Sequence, residues 1–348
     1  MPNGMFNLHD HAKYFSPKGE LYACARVLDQ TNHIVHDALT IESNSDSGHE
    51  YAIQNGLPQV TWRRAYQGVK PSKGSRTVVK EAFGRMSGLS EVDVAVCEKG
   101  GKTATIKAES QREQLEAMNQ EYAKKFFYGS NQDNEKAFVG FAARYNQLSG
   151  AKSSRQVIDN GGTTQKKQHS IYLIGWGRNK IFTFYPKGTQ AGIKIYDYSK
   201  DGPIDLQDEN GGTYPGYKKQ MEWLVGLAVQ DWRYGARVAN IDPEAIAKEA
   251  KPKDACVALY DNFIKAVGRI QNPDVVNLVA YTSREVRDLL RTGFLAAGGT
   301  PTPTAPIVVQ QGKQVSTGLP VYGYHDLVID GIHIKVEDAI DGTEAVVA

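Results

Sequence analysis

Residues 55–72 read NGLPQVTWRRAYQGVKPS, and residues 75–83 continue as SRTVVKEAF. β-Branched and aromatic side chains are concentrated at 59–66 and 75–83, which predicts two strands. The glycines and prolines between them are turn residues. This part of the chain therefore predicts a β-hairpin.

The predicted hairpin carries an unusual density of positive charge. A long, charged hairpin has little core of its own and is at best marginally stable alone. We therefore expect it to lie against acidic surface on an adjacent subunit. The side chains expected to make that contact are Trp62, Arg63, Arg64, Lys70, Lys73 and Arg76.

The sequence before the hairpin has a different composition. Residues 1–48 are polar and lack any sustained apolar period, which predicts an extended arm. A short apolar patch at 34–39 predicts one small helix within it.

After the hairpin, residues 104–128 show the clearest helical pattern. Gly129 is placed to end the helix. At 1.5 Å per residue the helix would be about 37 Å long, and with one apolar face it should lie across a sheet. The β-rich run 223–241 is the expected partner. The predicted apolar stripe consists of Ala104, Ala108, Leu115, Met118, Tyr122 and Phe126.

The rest of the chain predicts a mixture of strands and helices, hence an α+β fold. An exchange of apolar faces within 223–241 predicts a bulge near Gln230, and residues 197–216 read as loop. Thr282 and Glu285 have capping-box spacing. Strands are predicted at 171–176, 181–185, 275–281, 321–329 and 332–336, and helices at 254–270 and from 284.

Composition excludes several classes of protein. The 348 residues include 41 basic and 39 acidic ones, a formal net charge of +2, so the sequence lacks the excess of a dedicated nucleic-acid binder. Cys24, Cys97 and Cys256 lie far apart, which favours reduced thiols. No signal-peptide pattern and no apolar stretch of about 18 residues occurs, so we expect a soluble protein made in a cytosol.

Candidate chemical motifs are incomplete. Residues 100–103 (GGKT) resemble the end of a phosphate-binding loop, but Val96 stands where the first glycine is needed. The pairs His9/His11 and His33/His36 lack further ligands on a rigid scaffold. We expect no catalytic residue, cofactor or metal. Two alternatives remain: a nucleotide or sugar hydrolase using residues 100–103, and a host- or carbohydrate-binding tail module using the loop 210–217.

Taken together, these segments resemble a known family from about residue 55 to the end of the chain. The family is that of the major capsid proteins of epsilon-fifteen-like short-tailed bacteriophages. The similarity is carried by residues 55–64, 68–72, 113–129, 175–177, 185–188, 231–241 and 331–344.

The resemblance implies a Hong Kong 97-type capsid fold and the function of a major capsid protein. Such a protein self-assembles, in the host bacterial cytoplasm, into the icosahedral shell that encloses the double-stranded DNA of the virion. The implied parts are an N-terminal arm (1–54), an extended hairpin loop (55–88), a peripheral domain (89–150 and 205–245, with spine helix 104–128) and an axial domain (151–204 and 246–348).

The resemblance also implies partners. These are other copies of the chain in hexamers and pentamers, a portal protein at one vertex, scaffolding and cement or decoration proteins, and packaged DNA held non-specifically on the inner face, with no membrane. Some relatives cross-link their subunits through a Lys–Asn isopeptide bond aided by a buried Glu. No such trio is recognisable in this sequence.

Overall fold

The computed structural model describes residues 30–98, 103–130, 136–208, 211–298, 307–310, 313–316 and 327–348. Residues 1–29 of the predicted N-terminal arm and residues 299–306 therefore lie outside the described residues. Seven helices occur in this part of the chain: α1 (Ile34–Asp37), α2 (Val94–Glu98), α3 (Thr103–Tyr128), α4 (Phe141–Arg144), α5 (Pro243–Lys248), α6 (Pro252–Arg269) and α7 (Arg284–Ala296).

Sixteen strands accompany these helices in the described ranges. The first eight are β1 (Thr40–Glu42), β2 (His49–Gly56), β3 (Ser75–Glu81), β4 (Gly84–Asp93), β5 (Val157–Asp159), β6 (His169–Trp176), β7 (Ile181–Tyr185) and β8 (Ile193–Asp197). The others are β9 (Ile204–Gln207), β10 (Thr213–Val229), β11 (Gly235–Ile241), β12 (Asn277–Thr282), β13 (Ile307–Gln310), β14 (Lys313–Ser316), β15 (Leu327–Ile329) and β16 (Ile332–Val336).

One mixed sheet organises the molecule. Its main path runs β15-β16-β12-β6-β7-β10-β4, and β11 joins it by pairing with both β5 and β6. β6 and β11 are buried along almost their whole length, because helices and loops cover both of their faces. β2 and β3 form a separate hairpin, and so do β13 and β14. The predicted α+β class is confirmed.

The predicted hairpin exists, but its first strand was placed too late. β2 pairs antiparallel with β3, with His49 opposite Glu81 and Ile53 opposite Thr77. Residues 57–74 form no strand, so the prediction of a strand at 59–66 is wrong. Those residues have β-forming side chains, but no strand among the described residues lies beside them to complete their backbone hydrogen bonds.

The long helix is confirmed almost to the residue as α3, and Gly129 directly follows it. A Cβ on Gly129 would lie 2.5 Å from the carbonyl oxygen of Phe138, so close packing requires glycine here; the residue does not adopt the left-handed conformation that a helix-ending glycine often has. The predicted partner is also correct, since the rings of Tyr122 and Trp223 stack at 4.5 Å.

The predicted apolar stripe holds only in the second half of α3. Ala104 and Ala108 are exposed, because the first half of the helix extends past the main core. There, Ile106 packs with Val92 and Cys97 in a small separate cluster. The buried residues of α3 are Ile106, Met118, Tyr122, Ala123, Phe126 and Phe127.

The run 223–241 is two strands and not one bulged strand. β10 ends at Val229, and a 3₁₀ turn at Trp232–Tyr234 separates it from β11. The carboxylate of Asp231 accepts hydrogen bonds from the backbone N–H and the guanidinium of Arg233, which stabilises the turn. The interruption predicted near Gln230 is therefore a full turn and not a bulge, and β11 is buried at every position.

Three smaller predictions need correction. Residues 197–216 are not wholly loop, because β9 and the start of β10 pair there. The capping box at 282–285 does not form; the hydroxyl of Ser283 instead contacts the ring of His169 at 2.8 Å. Of the strand predicted at 321–329, the part in the described residues is β15, since 317–326 lie outside them.

The C-terminal segment is held to the sheet by a buried ion pair. The guanidinium of Arg237 in β11 contacts the carboxylate of Glu344 at 2.6 Å, and both side chains are 5% exposed. The hydroxyls of Tyr128 and Tyr172 donate to the same carboxylate at 2.8 and 2.9 Å. The end of α3 and the centre of the sheet are thereby fixed to one another.

Within the described ranges, none of the helices has the length and apolarity that crossing a membrane requires.

Candidate functional site

The hairpin β2–β3 is exposed along most of its length, and its base is firmly attached. The hydroxyl of Tyr51 lies 3.0 Å from a carboxylate oxygen of Glu81 and 3.1 Å from the carbonyl oxygen of Val229, and its single hydrogen is shared between these two acceptors. These contacts connect both strands of the hairpin to the end of β10.

A buried arginine completes this attachment. The guanidinium of Arg144, at the end of α4, donates to both carboxylate oxygens of Glu81 at 2.6 and 2.9 Å. It also donates to the carbonyl oxygen of Leu227 at 3.2 Å. The side chains of Arg144 and Glu81 are 18% and 11% exposed, so solvent screens this bidentate pair weakly. We call Tyr51, Glu81 and Arg144 the hairpin anchor.

The electrostatics of the anchor favour a charged pair. Burial acts to raise the pKa of the Glu81 carboxyl, but the hydrogen bonds from Arg144 outweigh it and hold that pKa below its ordinary value. Burial also raises the pKa of the Tyr51 phenol, with the charge of Glu81 adding to the effect. Glu81 is therefore ionised and Tyr51 neutral near pH 7.

Apolar packing surrounds the anchor. Tyr51 lies in a cluster with Phe182, Phe184 and Ala228 of the sheet. Phe83, which follows β3, contacts Phe184 with ring centroids 5.1 Å apart. The base of the hairpin thus has a small core, whereas its tip has none.

The tip, residues 57–74, is entirely exposed. It contains four basic residues and no acidic one. Its large apolar side chains are also in solvent: Trp62 is 102% exposed, Tyr66 107% and Val60 93%. Exposed apolar groups gathered on a protruding element mark an interaction site.

The six residues predicted to contact another subunit all lie on this hairpin and are all exposed: Trp62, Arg63, Arg64, Lys70, Lys73 and Arg76. Contacts within the tip are local, such as the guanidinium of Arg63 donating to the carbonyl oxygen of Gln67 at 3.3 Å. The structure therefore brings the six onto one projection. Their contact with a second subunit stays a prediction.

Sequence reasoning missed the anchor and most of the exposed apolar side chains of the tip. Arg144 is 63 positions from Glu81, and nothing in the local sequence pairs them. That the tip is not a strand could have been inferred from Pro58 and Pro71 at either end of it, because proline cannot donate a backbone hydrogen bond to a neighbouring strand.

The other candidate sites do not assemble in the described residues. His33 contacts the carbonyl oxygen of Val336 at 3.1 Å, while His36 is exposed beside Asp37. The described ranges contain no cluster of three or more potential metal ligands. His9, His11 and residues 99–102 lie outside them. In the loop predicted at 210–217, residues 213–217 are the first part of β10.

Comparisons with known proteins identify the family. The family described as major capsid protein GP7 matches residues 16–348. No curated protein matches the chain. Among solved structures, that of bacteriophage epsilon15 is 23% identical, with 100% of this chain and 98% of that chain covered and a TM-score of 0.70. This likeness confirms the Hong Kong 97-type fold.

Two further structures are more distant. The capsid of bacteriophage JBD30 is 9% identical, covers 76% of this chain and 84% of its own, and has a TM-score of 0.45. The capsid of the native GTA particle is 8% identical, with 66% of this chain and 96% of that chain covered and a TM-score of 0.46. Neither is needed for the assignment, which follows from the family match over residues 16–348. The chain belongs to the major capsid protein GP7 family and is a structural subunit of a bacteriophage capsid.

Proposed function

We propose that the chain builds an icosahedral shell in which the hairpin tip of one copy lies on a neighbouring copy. The observation that carries this proposal is the full exposure of Trp62 at the end of an anchored hairpin. Covering an exposed indole with a partner surface removes it from water, which stabilises the complex. Tryptophan and arginine are also among the residues most enriched at interface centres.

The anchor makes such a contact geometrically specific. A hairpin that swung freely would lose conformational entropy each time it docked. Here the bidentate contact between Arg144 and Glu81 fixes the base, which limits how far the hairpin can swing relative to the body of the subunit. The four basic tip residues favour an acidic neighbour surface.

The finer organisation follows the family resemblance. We propose an arm at 1–54, a hairpin loop at 55–88, a peripheral domain at 89–150 and 205–245, and an axial domain at 151–204 and 246–348. The shell would contain hexamers and pentamers, a portal at one vertex and packaged double-stranded DNA, and would form in the host cytoplasm with scaffolding and cement proteins. The role is structural, and we assign the chain no catalytic residue, cofactor or metal.

Charge reversal at the tip tests the contact. Arg63→Glu combined with Arg64→Glu should reduce the yield of closed particles, measured by electron microscopy and sedimentation, while circular dichroism of the subunit stays unchanged. Each exposed ion pair contributes about 0–1 kcal/mol, but a shell repeats the contact at every copy.

The matched control is Lys152→Glu combined with Arg155→Glu, the same charge change at exposed residues outside the hairpin. A normal particle yield from the Arg63/Arg64 variant, or an equal loss from the control, would count against a specific role of the tip.

A further inference from the structure

The strand β8 leaves one edge of the sheet open. It pairs with β10 on one side, with Ile195 opposite Met221 and Asp197 opposite Lys219. No strand among the described residues pairs with its other side. The N–H and C=O groups along such an edge can pair with a strand that another chain supplies.

The hydrogen bonds between β8 and β10 show which backbone groups face outward. The N–H of Tyr198 donates to the carbonyl oxygen of Lys218 on β10 at 3.0 Å. In an antiparallel pair, every second residue bonds to the partner strand, and the residues between them direct their N–H and C=O groups away from it. Tyr196 therefore faces β10, whereas the N–H and C=O of Ile195 face the open side.

The side chains beside this edge are also exposed. Ile195 is 45% exposed, Tyr196 43% and Tyr198 52%. Residues 193–208, which span β8 and β9, include four acidic and two basic residues. The surface around the edge is therefore apolar with a net negative charge, which favours a partner that is apolar and basic.

The opposite edge of the sheet is less suitable for an added strand. Its outer strand is β4. The side-chain amide of Gln114, on α3, donates to the carbonyl oxygen of Leu89 in β4 at 3.3 Å. A strand that paired with this edge would have to displace that contact.

The hairpin tip has the properties that the β8 edge favours. Residues 57–74 contain four basic residues and no acidic one, and they form no strand. The N–H of Gln67 donates to the carbonyl oxygen of Arg64 at 3.2 Å, which closes a turn at the end of the tip. Before the turn, residues 59–63 contain no proline, whereas Pro71 removes a backbone donor after it. Residues 59–63 are thus the part of the tip that can complete a ladder.

From these observations we propose that residues 59–63 of one copy add to β8 of a neighbouring copy as an extra strand. This placement rests on the proposed function and names the surface that receives the hairpin tip. The added strand would satisfy the outward N–H and C=O of Ile195. It would also give the β-forming side chains of the tip the neighbouring strand that their own chain does not provide.

The alternation of side chains along a strand determines which groups meet. With Trp62 on the face of Tyr196, Arg63 lies on the face of Asp197. The carboxylate of Asp197 is 3.3 Å from the ammonium of Lys219, yet its side chain is 34% exposed and can accept a second cation. An aromatic pair and an opposite-charge pair across neighbouring strands both stabilise a sheet.

Disulfide formation in assembled particles tests the proposal. Cys97 and Cys256 are buried, so a Cys24→Ala background is used. Thr61→Cys is combined in turn with Ile193→Cys, Ile195→Cys and Asp197→Cys, which share one face. Cross-strand neighbours have Cβ atoms about 4.5–5.5 Å apart, within reach of a disulfide after a small adjustment. Oxidised particles of at least one pairing should give covalently linked chains on a non-reducing gel.

The matched control combines Thr61→Cys with Lys152→Cys, at an exposed position outside the edge. Its chains should stay unlinked. Amide hydrogen exchange of the wild-type chain is a second measurement, which needs no substitution. The N–H of Ile195 should exchange at least about tenfold more slowly in the closed shell than in the free subunit.

The outcomes separate this contact from shell formation itself. Closed particles that give no disulfide in any of the three pairings, that link equally well through Lys152→Cys, or that leave the N–H of Ile195 unprotected would overturn the strand addition and leave the proposed function standing. A chain that forms no shell would overturn both.

Discussion

The guanidinium of Arg144 donates two hydrogen bonds, of 2.6 and 2.9 Å, to the carboxylate of Glu81 at the base of the hairpin. The same guanidinium also contacts the carbonyl oxygens of Val139 and Leu227. One buried side chain therefore connects α4, β10 and the hairpin. The exposed hairpin is therefore attached to the body of the subunit by an interaction in the interior.

Removing one member of this pair should destabilise the subunit strongly. Glu81→Leu leaves the guanidinium of Arg144 buried without its carboxylate, which costs about 3–5 kcal/mol in such pairs. Urea unfolding should show the loss, and hydrogen exchange of residues 49–56 should accelerate. The control is Glu50→Gln, which removes an exposed contact with Lys80 and should cost about 0–1 kcal/mol. Similar costs for the two variants would contradict the role of the anchor.

The anchor also predicts a dependence on pH. The folded-state pKa of Glu81 lies below its ordinary value of 4.5, so its contribution to stability is present above pH 4.5 and is lost as the pH falls through the folded-state pKa. The difference in unfolding free energy between the wild type and Glu81→Gln should therefore narrow in acid. A difference that stays constant from pH 7 down to unfolding would show that ionisation of Glu81 contributes nothing.

The helix α3 predicts a graded mutational series. Phe126 is fully buried, and Phe126→Ala should cost about 3–5 kcal/mol. Leu115 is only partly buried against the core, so Leu115→Ala should fall at or below the lower end of the 2–5 kcal/mol range for leucine. Lys124→Ala, on the exposed face, should change stability by at most about 0.5 kcal/mol. Urea midpoints for the three variants check this order, and a larger loss for Leu115→Ala than for Phe126→Ala would contradict it.

Local periodicity was sufficient to predict α3, since a helix is defined by contacts three and four residues apart. It also predicted β6 and β7, whose apolar runs are buried on both faces. It failed where a distant partner decides the outcome. Whether a β-forming stretch becomes a strand depends on a neighbouring strand, so His49–Gly56 was missed and 59–66 was wrongly assigned.

The candidate site was likewise predictable from the sequence only in part. The exposed basic tip was predicted from composition, because Arg63 and Arg64 need no tertiary partner to be solvated. The anchor was not predicted, because Arg144 and Glu81 become neighbours only when α4 and β10 meet. A buried ion pair between distant positions leaves no periodic pattern in a single sequence.

The central claim is that the hairpin tip of one subunit is covered by another subunit in a closed shell. A cryo-electron microscopy reconstruction of particles formed by the wild-type chain tests it most directly, read at Trp62. We predict that the indole, 102% exposed in the isolated subunit, is buried against a neighbouring copy beside acidic side chains. A closed shell in which Trp62 and Arg63 remain in solvent, or a chain that forms no shell, would contradict it.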